Sequence, residues 1–298
     1  AALASNDALD TPEAYLMCKK LEFKNLLGRF SVDAPKNNAQ EHFTVIKTKA
    51  EAERIWKKVD EKPLAFTVIP NADNKQESDG QMLLFAAAPK NAFAALAVAF
   101  SEEDIYLFVT GDELTADDLM THLFACKSGQ LLTADLKSQL PYLEWMNEEK
   151  AAEDWDAYCA QRNRFFDRTV AACDDVAKDY LGHMVPGKAD LLGKKTVAEV
   201  LAEDEKKAVD YACYEAYISW KSYPVLMESL KEQGMDSLFS EIEMPLVFVL
   251  SDMERQGISI DADALKEYGE KLSVSITELE QKIYEEAGEQ FNINSPKQ

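Results

Sequence analysis

The stretch Leu64–Asp73, "LAFTVIPNAD", decides how the first half of the chain is read. Its opening residues are apolar apart from Thr67, and the aromatic and β-branched side chains of Phe66, Thr67, Val68 and Ile69 favour a strand. A run apolar to its end is a buried strand, and Pro70 with Asn71 marks the turn that closes it. Such a strand can present metal ligands only if it carries carboxylates. The first one here, Asp73, lies beyond the proline.

Apolar and polar patterning extends this reading in both directions. Upstream, "HFTVIK" reads as a short strand and "TKAEAERIWKKV" as a helix, preceded by an Asn-, Pro- and Lys-rich loop. Thr11–Phe30 repeats apolar residues at helical spacing, with Pro12 near its start and Gly28 near its end. Downstream, "QMLLFAAA", "FAALAVAF" and "DIYLFVT" are further apolar runs, separated by turn-like segments such as "NADNKQESDG". After Gly111 the order is a helix in "ELTADDLMTHLFACK", a short strand in "GQLLTA" and a helix in "DLKSQLPYLEWM". From Glu153 to Glu232 the pattern predicts helices, interrupted at "GHMVPGKADLLGKK" and at Pro224. The expected fold is α/β: a sheet formed early, with helices around it.

Near Ser240 the character changes. Pro245 suits the first turn of a helix over "MPLVFVLSDMERQ", and Gly257 ends it. Asp261 or Asp263 is placed to cap a long helix from about Ala264 to Ala287. On that helix Leu265, Tyr268, Leu272, Ile276, Leu279 and Ile283 recur at steps of three and four, a stripe suited to a partner helix. The sequence stops at "FNINSPKQ" without a closing element, which suggests truncation.

Composition narrows the function classes. The chain has 298 residues, 47% of them hydrophobic, enough for one large or two medium domains. No apolar run approaches the roughly 20 residues of a membrane helix. The N-terminus lacks the basic and apolar regions of a signal peptide, so a cytoplasmic location is expected. Cys18, Cys126, Cys159, Cys173 and Cys213 never form a CxxC pair, which predicts free thiols in a reducing compartment. With 32 basic and 54 acidic residues, the net charge is -22. Phosphate binding favours a basic face, so this chain alone is expected to bind DNA weakly or not at all. His42, His122 and His183 stand apart from one another in sequence, without matching Cys or acidic clusters, and no phosphate-loop, dinucleotide or nucleophile-elbow motif occurs. The acidic runs "SEEDIY" and "NEEKAAEDWD" read as solvated faces.

The last 55 or so residues carry the most specific pattern. "EMPLVFVLSDMERQGISIDADAL" followed by "LEQKIYEEAGEQFNINSPKQ" resembles the start of the polymerase region of bacterial family A DNA polymerases. "LEFKNLLGRF" resembles the segment that joins the 5′-nuclease part to the rest of such an enzyme. The resemblance implies an N-terminal helix and linker at 1–41, a 3′-5′ exonuclease-like domain at 42–240 and the opening thumb helices of the polymerase domain at 241–298. It implies an RNase H-like mixed sheet for the middle domain. It also implies a parent enzyme that is a DNA-directed DNA polymerase of replication and repair, working as a monomer on primer-template DNA. The polymerase carboxylates, and the Mg²⁺ they would bind, belong beyond Gln298, so no cofactor is expected here and activity of this stretch alone is left open.

Active exonuclease domains of this type hold two divalent cations about 3.5–4 Å apart on carboxylate oxygens. Their first strand ends in D-x-E, a middle segment has N-x-x-x-D and a late helix has Y-x-x-x-D. Matching "LAFTVIP" to the first motif puts Thr67 at the Asp position and Ile69 at the Glu position. "TADLKSQL" puts Asp135 at the asparagine and Gln139 at the aspartate. "DYACYEAYISW" keeps Tyr211 and puts Glu215 at the last aspartate. Of four expected carboxylate ligands only Glu215 remains, in lengthened form, so the resemblance implies no metal site and a structural domain that has lost its chemistry. The alternative is a weak or rearranged exonuclease using Glu215 with Asp73 or Asp135. In "FNINSPKQ", Asn292, Ser295 and Lys297 match positions that contact duplex DNA. On their residues alone they suit a turn after a helix.

Overall fold

The computed structural model describes residues 38–71, 93–143, 155–168 and 172–295, with a few single positions before residue 24. Most of the helix expected over 11–30, the run at 81–88, Asp73 and Lys297 lie outside the described residues.

A 3-10 turn at Asn38–His42 leads into strand β1 (Phe43–Ile46) and helix α1 (Lys49–Trp56). Strands β2 (Leu64–Pro70), β3 (Phe93–Ala99) and β4 (Ile105–Val109) follow, then α2 (Ala116–Ala125) and β5 (Leu131–Thr133). A short turn of helix at Leu136–Gln139 precedes α3 (Trp155–Arg162), β6 (Phe165–Asp167) and α4 (Cys173–Leu181). Helices α5 (Val197–Glu203), α6 (Glu205–Glu232) and α7 (Met244–Gln256) come next, the last preceded by π-helical residues Phe239–Glu243. Helix α8 (Ala262–Ala287) completes the order.

The six strands form one mixed sheet in the order β1-β4-β3-β2-β5-β6. β2 runs antiparallel to β3 and parallel to β5; β3 and β4 are antiparallel, while β1–β4 and β5–β6 are parallel. The apolar stretch at 64–69 is therefore near the centre of the sheet, and both of its faces are covered. Phe66 and Val68 join Leu96, Val98, Tyr106, Phe108, Trp56 and Leu123 in a core of large side chains under α1 and α2. Ile69 faces the opposite layer with Ala95, Ala97, Ala99, Ile105 and Leu107, against Ala212, Cys213, Ala216 and Tyr217 of α6. The alternation of β3 divides it into a bulky face and an alanine face. The alanine face, met by alanines of the helix, brings α6 close to the sheet.

Local chemistry fixes the helix starts. Thr48 caps α1, and Thr115 with Asp118 forms a capping box on α2. Arg164 ties the far end of α2 to the start of β6. Its guanidinium donates to the carbonyls of Phe124 at 3.0 Å, Cys126 at 3.1 Å and Ser128 at 2.9 Å.

Two expectations are corrected. Residues 153–232 are not helical throughout: β6 adds a sixth strand, stabilised by pairing with β5 and by burial of Phe165 and Phe166. Pro224 does not break its helix, because α6 runs through it. An interior proline costs about 3 kcal/mol. Burial of Tyr223, Leu226 and Met227 against Ala65, Leu132 and Phe166 offsets that cost and holds the last turns in line.

The chain divides into two compact units, 1–255 and 256–298. Met244 and Phe248 of α7 are buried in the core of the first. In the second, Asp261 caps α8 by accepting from the Ala264 amide at 3.0 Å, and Gly288 ends it at φ 74°. The stripe from Leu265 to Ile283 has formed on one helix, and its side chains are exposed.

Enlarging the alanine contact should be costly. Ala97→Leu is expected to destabilise the first unit by about 1–3 kcal/mol in urea unfolding, through overpacking. Thr115→Ala should cost about 1 kcal/mol through loss of the α2 cap. Lys49 and Thr115 hydrogen-bond the Asp118 carboxyl and hold it down to about 2, against an ordinary 3.8. Its contribution is present above the ordinary value and is lost as pH falls toward about 2, so Asp118→Asn should flatten that part of an acid-unfolding profile.

Candidate functional site

Thr67 and Ile69 lie on the α6 side of β2. Ile69 is 2% exposed and packs in the core beneath α6. The Thr67 hydroxyl is buried with no hydrogen-bond partner among the described residues. Tyr211 and Glu215 are one helical turn apart on α6, close enough for the phenol to act on the carboxyl.

Glu215 has a second partner that the sequence did not announce. Arg168, just past the end of β6, donates from Nη2 to Glu215 Oε2 at 3.0 Å. Its side chain is 1% exposed and that of Glu215 13%. Arg168 Nε donates to Ser219 Oγ at 3.1 Å, and Ser219 Oγ in turn donates to the Glu215 carbonyl at 2.7 Å. The backbone N–H of Arg168 donates to the Thr133 carbonyl at 2.7 Å, continuing the β5–β6 ladder. Burial pushes the Glu215 carboxyl above its ordinary value, while Arg168, Tyr211 and Lys188 pull it down. Burial and the neighbouring Glu215 raise the Tyr211 phenol.

Gln139 is buried at 6% exposure and does a different job from the one its matched position suggests. Strands β2 and β5 pair only at Leu64–Leu131 and Ala65–Leu132. Beyond that, Gln139 Oε1 accepts from the Val68 amide at 2.9 Å, and its Nε2 donates to the Ala134 carbonyl at 2.6 Å and to the Thr133 hydroxyl. The side chain serves as an extra rung between two diverging strands. Asp135 precedes it in a left-handed conformation (φ 52°), without a capping hydrogen bond from its side chain.

These residues do not make a metal-pair site. Among the described residues, no group of three or more His, Cys, Asp or Glu is placed to hold a metal ion. A pair of hard divalent cations needs several charged oxygens, and here Ile69 offers only hydrocarbon while Glu215 is committed to a guanidinium. The described cysteines are free, as expected, with Cys173 and Cys213 buried. Sequence reasoning missed Arg168 altogether. The only local signal was an arginine two residues after the apolar pair Phe165–Phe166, with Asp167 between.

In the second unit, the expected turn of Asn and Ser is present. Asn292 Oδ1 accepts from the Asn294 amide at 3.1 Å, and the Ser295 amide donates to the Asn292 carbonyl at 2.9 Å. The Tyr284 hydroxyl donates to the Phe291 carbonyl at 3.0 Å and seats the segment against the end of α8.

The chain is 34% identical over 168 residues to DNA polymerase I of Bacillus subtilis (strain 168), covering 55% of this chain and 18% of that protein. It is 28% identical over 245 residues to DNA polymerase I of Geobacillus stearothermophilus, covering 80% of this chain and 28% of that one. The chain is a relative of bacterial DNA polymerase I. With the Streptococcus pneumoniae (serotype 4) DNA polymerase I it shares 41% identity over 104 residues, 35% of this chain and 12% of the relative. It thus spans less than a third of the length of these DNA polymerase I relatives. Among solved structures, the polymerase domain of Pol1 from M. smegmatis, in complex with DNA primer-template and dNTP, matches at TM-score 0.53 and 19% identity. That match covers 85% of this chain and 39% of the other, and supports the fold. No family model matches.

Replacing the Gln139 amide removes a partner from buried backbone groups. Gln139→Leu is expected to cost about 1–3 kcal/mol, measured by chemical unfolding, with faster hydrogen exchange at the Val68 amide.

Proposed function

We propose that the chain is part of a DNA-directed DNA polymerase of replication and repair, acting in the cytoplasm as a monomer on primer-template DNA. Residues 42–240 form its 3′-5′ exonuclease-like domain, of RNase H-like type, and 241–298 begin its polymerase portion. The similarity to DNA polymerase I and the mixed sheet covered by helices support this reading. No described helix is long and apolar enough to cross a membrane, in keeping with it.

The middle domain, on this reading, holds the fold and performs no hydrolysis. One observation carries the proposal: the last carboxylate at the matched positions, Glu215, is bound by the buried Arg168, opposite a strand whose ligand positions are Thr67 and Ile69. In-line hydrolysis of a phosphodiester by two metals requires both ions to be held at once, and a single carboxylate already neutralised cannot do so. What remains suited to the domain is packing, since its strands are apolar on both faces.

Incubation of the 298-residue chain with a 5′-labelled single strand, in Mg²⁺ and separately in Mn²⁺, tests this. No shortening of the strand is expected in either. Shortening that disappears in Glu215→Gln would overturn the reading in favour of a rearranged exonuclease. In a mobility-shift titration the acidic chain alone should retard duplex DNA weakly or not at all.

A further inference from the structure

The inference below rests on the reading of residues 42–240 as a former two-metal domain. In such a site the carboxylates repel one another, and bound cations balance their charge. Here one of the four expected carboxylate ligands persists, and a fixed cation has come to it. Arg168 reaches Glu215 from the exit of β6, on the opposite side of β5 from β2. Its side chain is almost completely buried and also engages Ser219, one turn beyond Glu215 on α6. An arginine suits this place better than a lysine, since its planar fork can hold two acceptors at once. The Tyr211 phenol, one turn before Glu215 on α6, also acts to hold the carboxyl down.

We propose that Arg168 is a built-in counter-cation. It takes over the charge balance that bound metal supplies in an active site, and so makes the α6–sheet junction independent of divalent ions. Arg168 is a positioning residue in this role: it holds Glu215 and through it the middle of α6. The residues present do not fit a metal pair, and the guanidinium is the physical reason the remaining carboxylate tolerates burial without one.

Thermal melting of the 298-residue chain tests this. The wild type should melt at the same temperature in chelator and in Mn²⁺. Arg168→Met leaves a buried carboxylate without its partner and should melt roughly 10 °C lower. Arg168→Met combined with Glu215→Leu should recover most of that loss, because an apolar pair of similar volume is about as stable as a buried ion pair. A single variant that melts with the wild type, or a double variant that melts no higher than the single one, overturns the proposal. If Arg168→Met does not fold, Mn²⁺ binding followed by paramagnetic resonance decides. Binding should be the same in wild type and Glu215→Gln, and a bound ion lost in Glu215→Gln overturns the idea. The two readings fail separately. Nuclease activity would sink the inactive-domain reading, whereas an inert chain whose Arg168→Met form melts normally would sink only this one.

Discussion

Alanine meeting alanine sets the architecture of the first unit. Ala95, Ala97 and Ala99 form one face of β3, and Ala212 and Ala216 face them from α6. Small side chains on both surfaces let the longest helix of this unit lie close across the sheet and span its neighbouring strands. The bulk excluded from that face is gathered on the other, where Phe66, Leu96, Val98 and Phe108 fill the space under α1 and α2. Dense packing makes such a division hard to relax, because neither face has room for the other's side chains.

A helix set this close to a sheet leaves little access for water, so polar groups at the junction need partners within the protein. Three long side chains supply such partners here and elsewhere in the unit. Arg164 collects the carbonyls that follow α2, Gln139 bridges strands where their ladder ends, and Arg168 pairs with Glu215. Each of the three satisfies more than one group, and each joins segments far apart in sequence. The polar framework holds the elements in position, while the apolar layers provide most of the driving force.

Much of the fold was legible in sequence because it rests on local pattern. The apolar run at 64–69, the alternation from Phe93 to Ala99 and the Thr115 capping box each announce an element from neighbouring residues. β6 was hidden because three residues between polar helical stretches give too short a period to detect. Continuity through Pro224 was hidden because distant contacts, not local propensity, sustain the helix. The site was half legible. Comparing motif positions singled out Thr67, Ile69, Tyr211 and Glu215, since absence of a carboxylate is visible in a string of letters. Arg168 was not, because its meaning depends on a residue 47 positions away on another element.

A tethered cation differs from a bound one in its dependence on supply. A diffusing ion occupies its place in proportion to its free concentration and loses translational freedom each time it arrives. A guanidinium carried by the chain reaches Glu215 as the strand and helix come together, at a local concentration fixed by the fold itself. Charge balance at this junction is thereby a unimolecular property. It is inherited with every copy of the chain, whatever the ionic composition in which that copy folds.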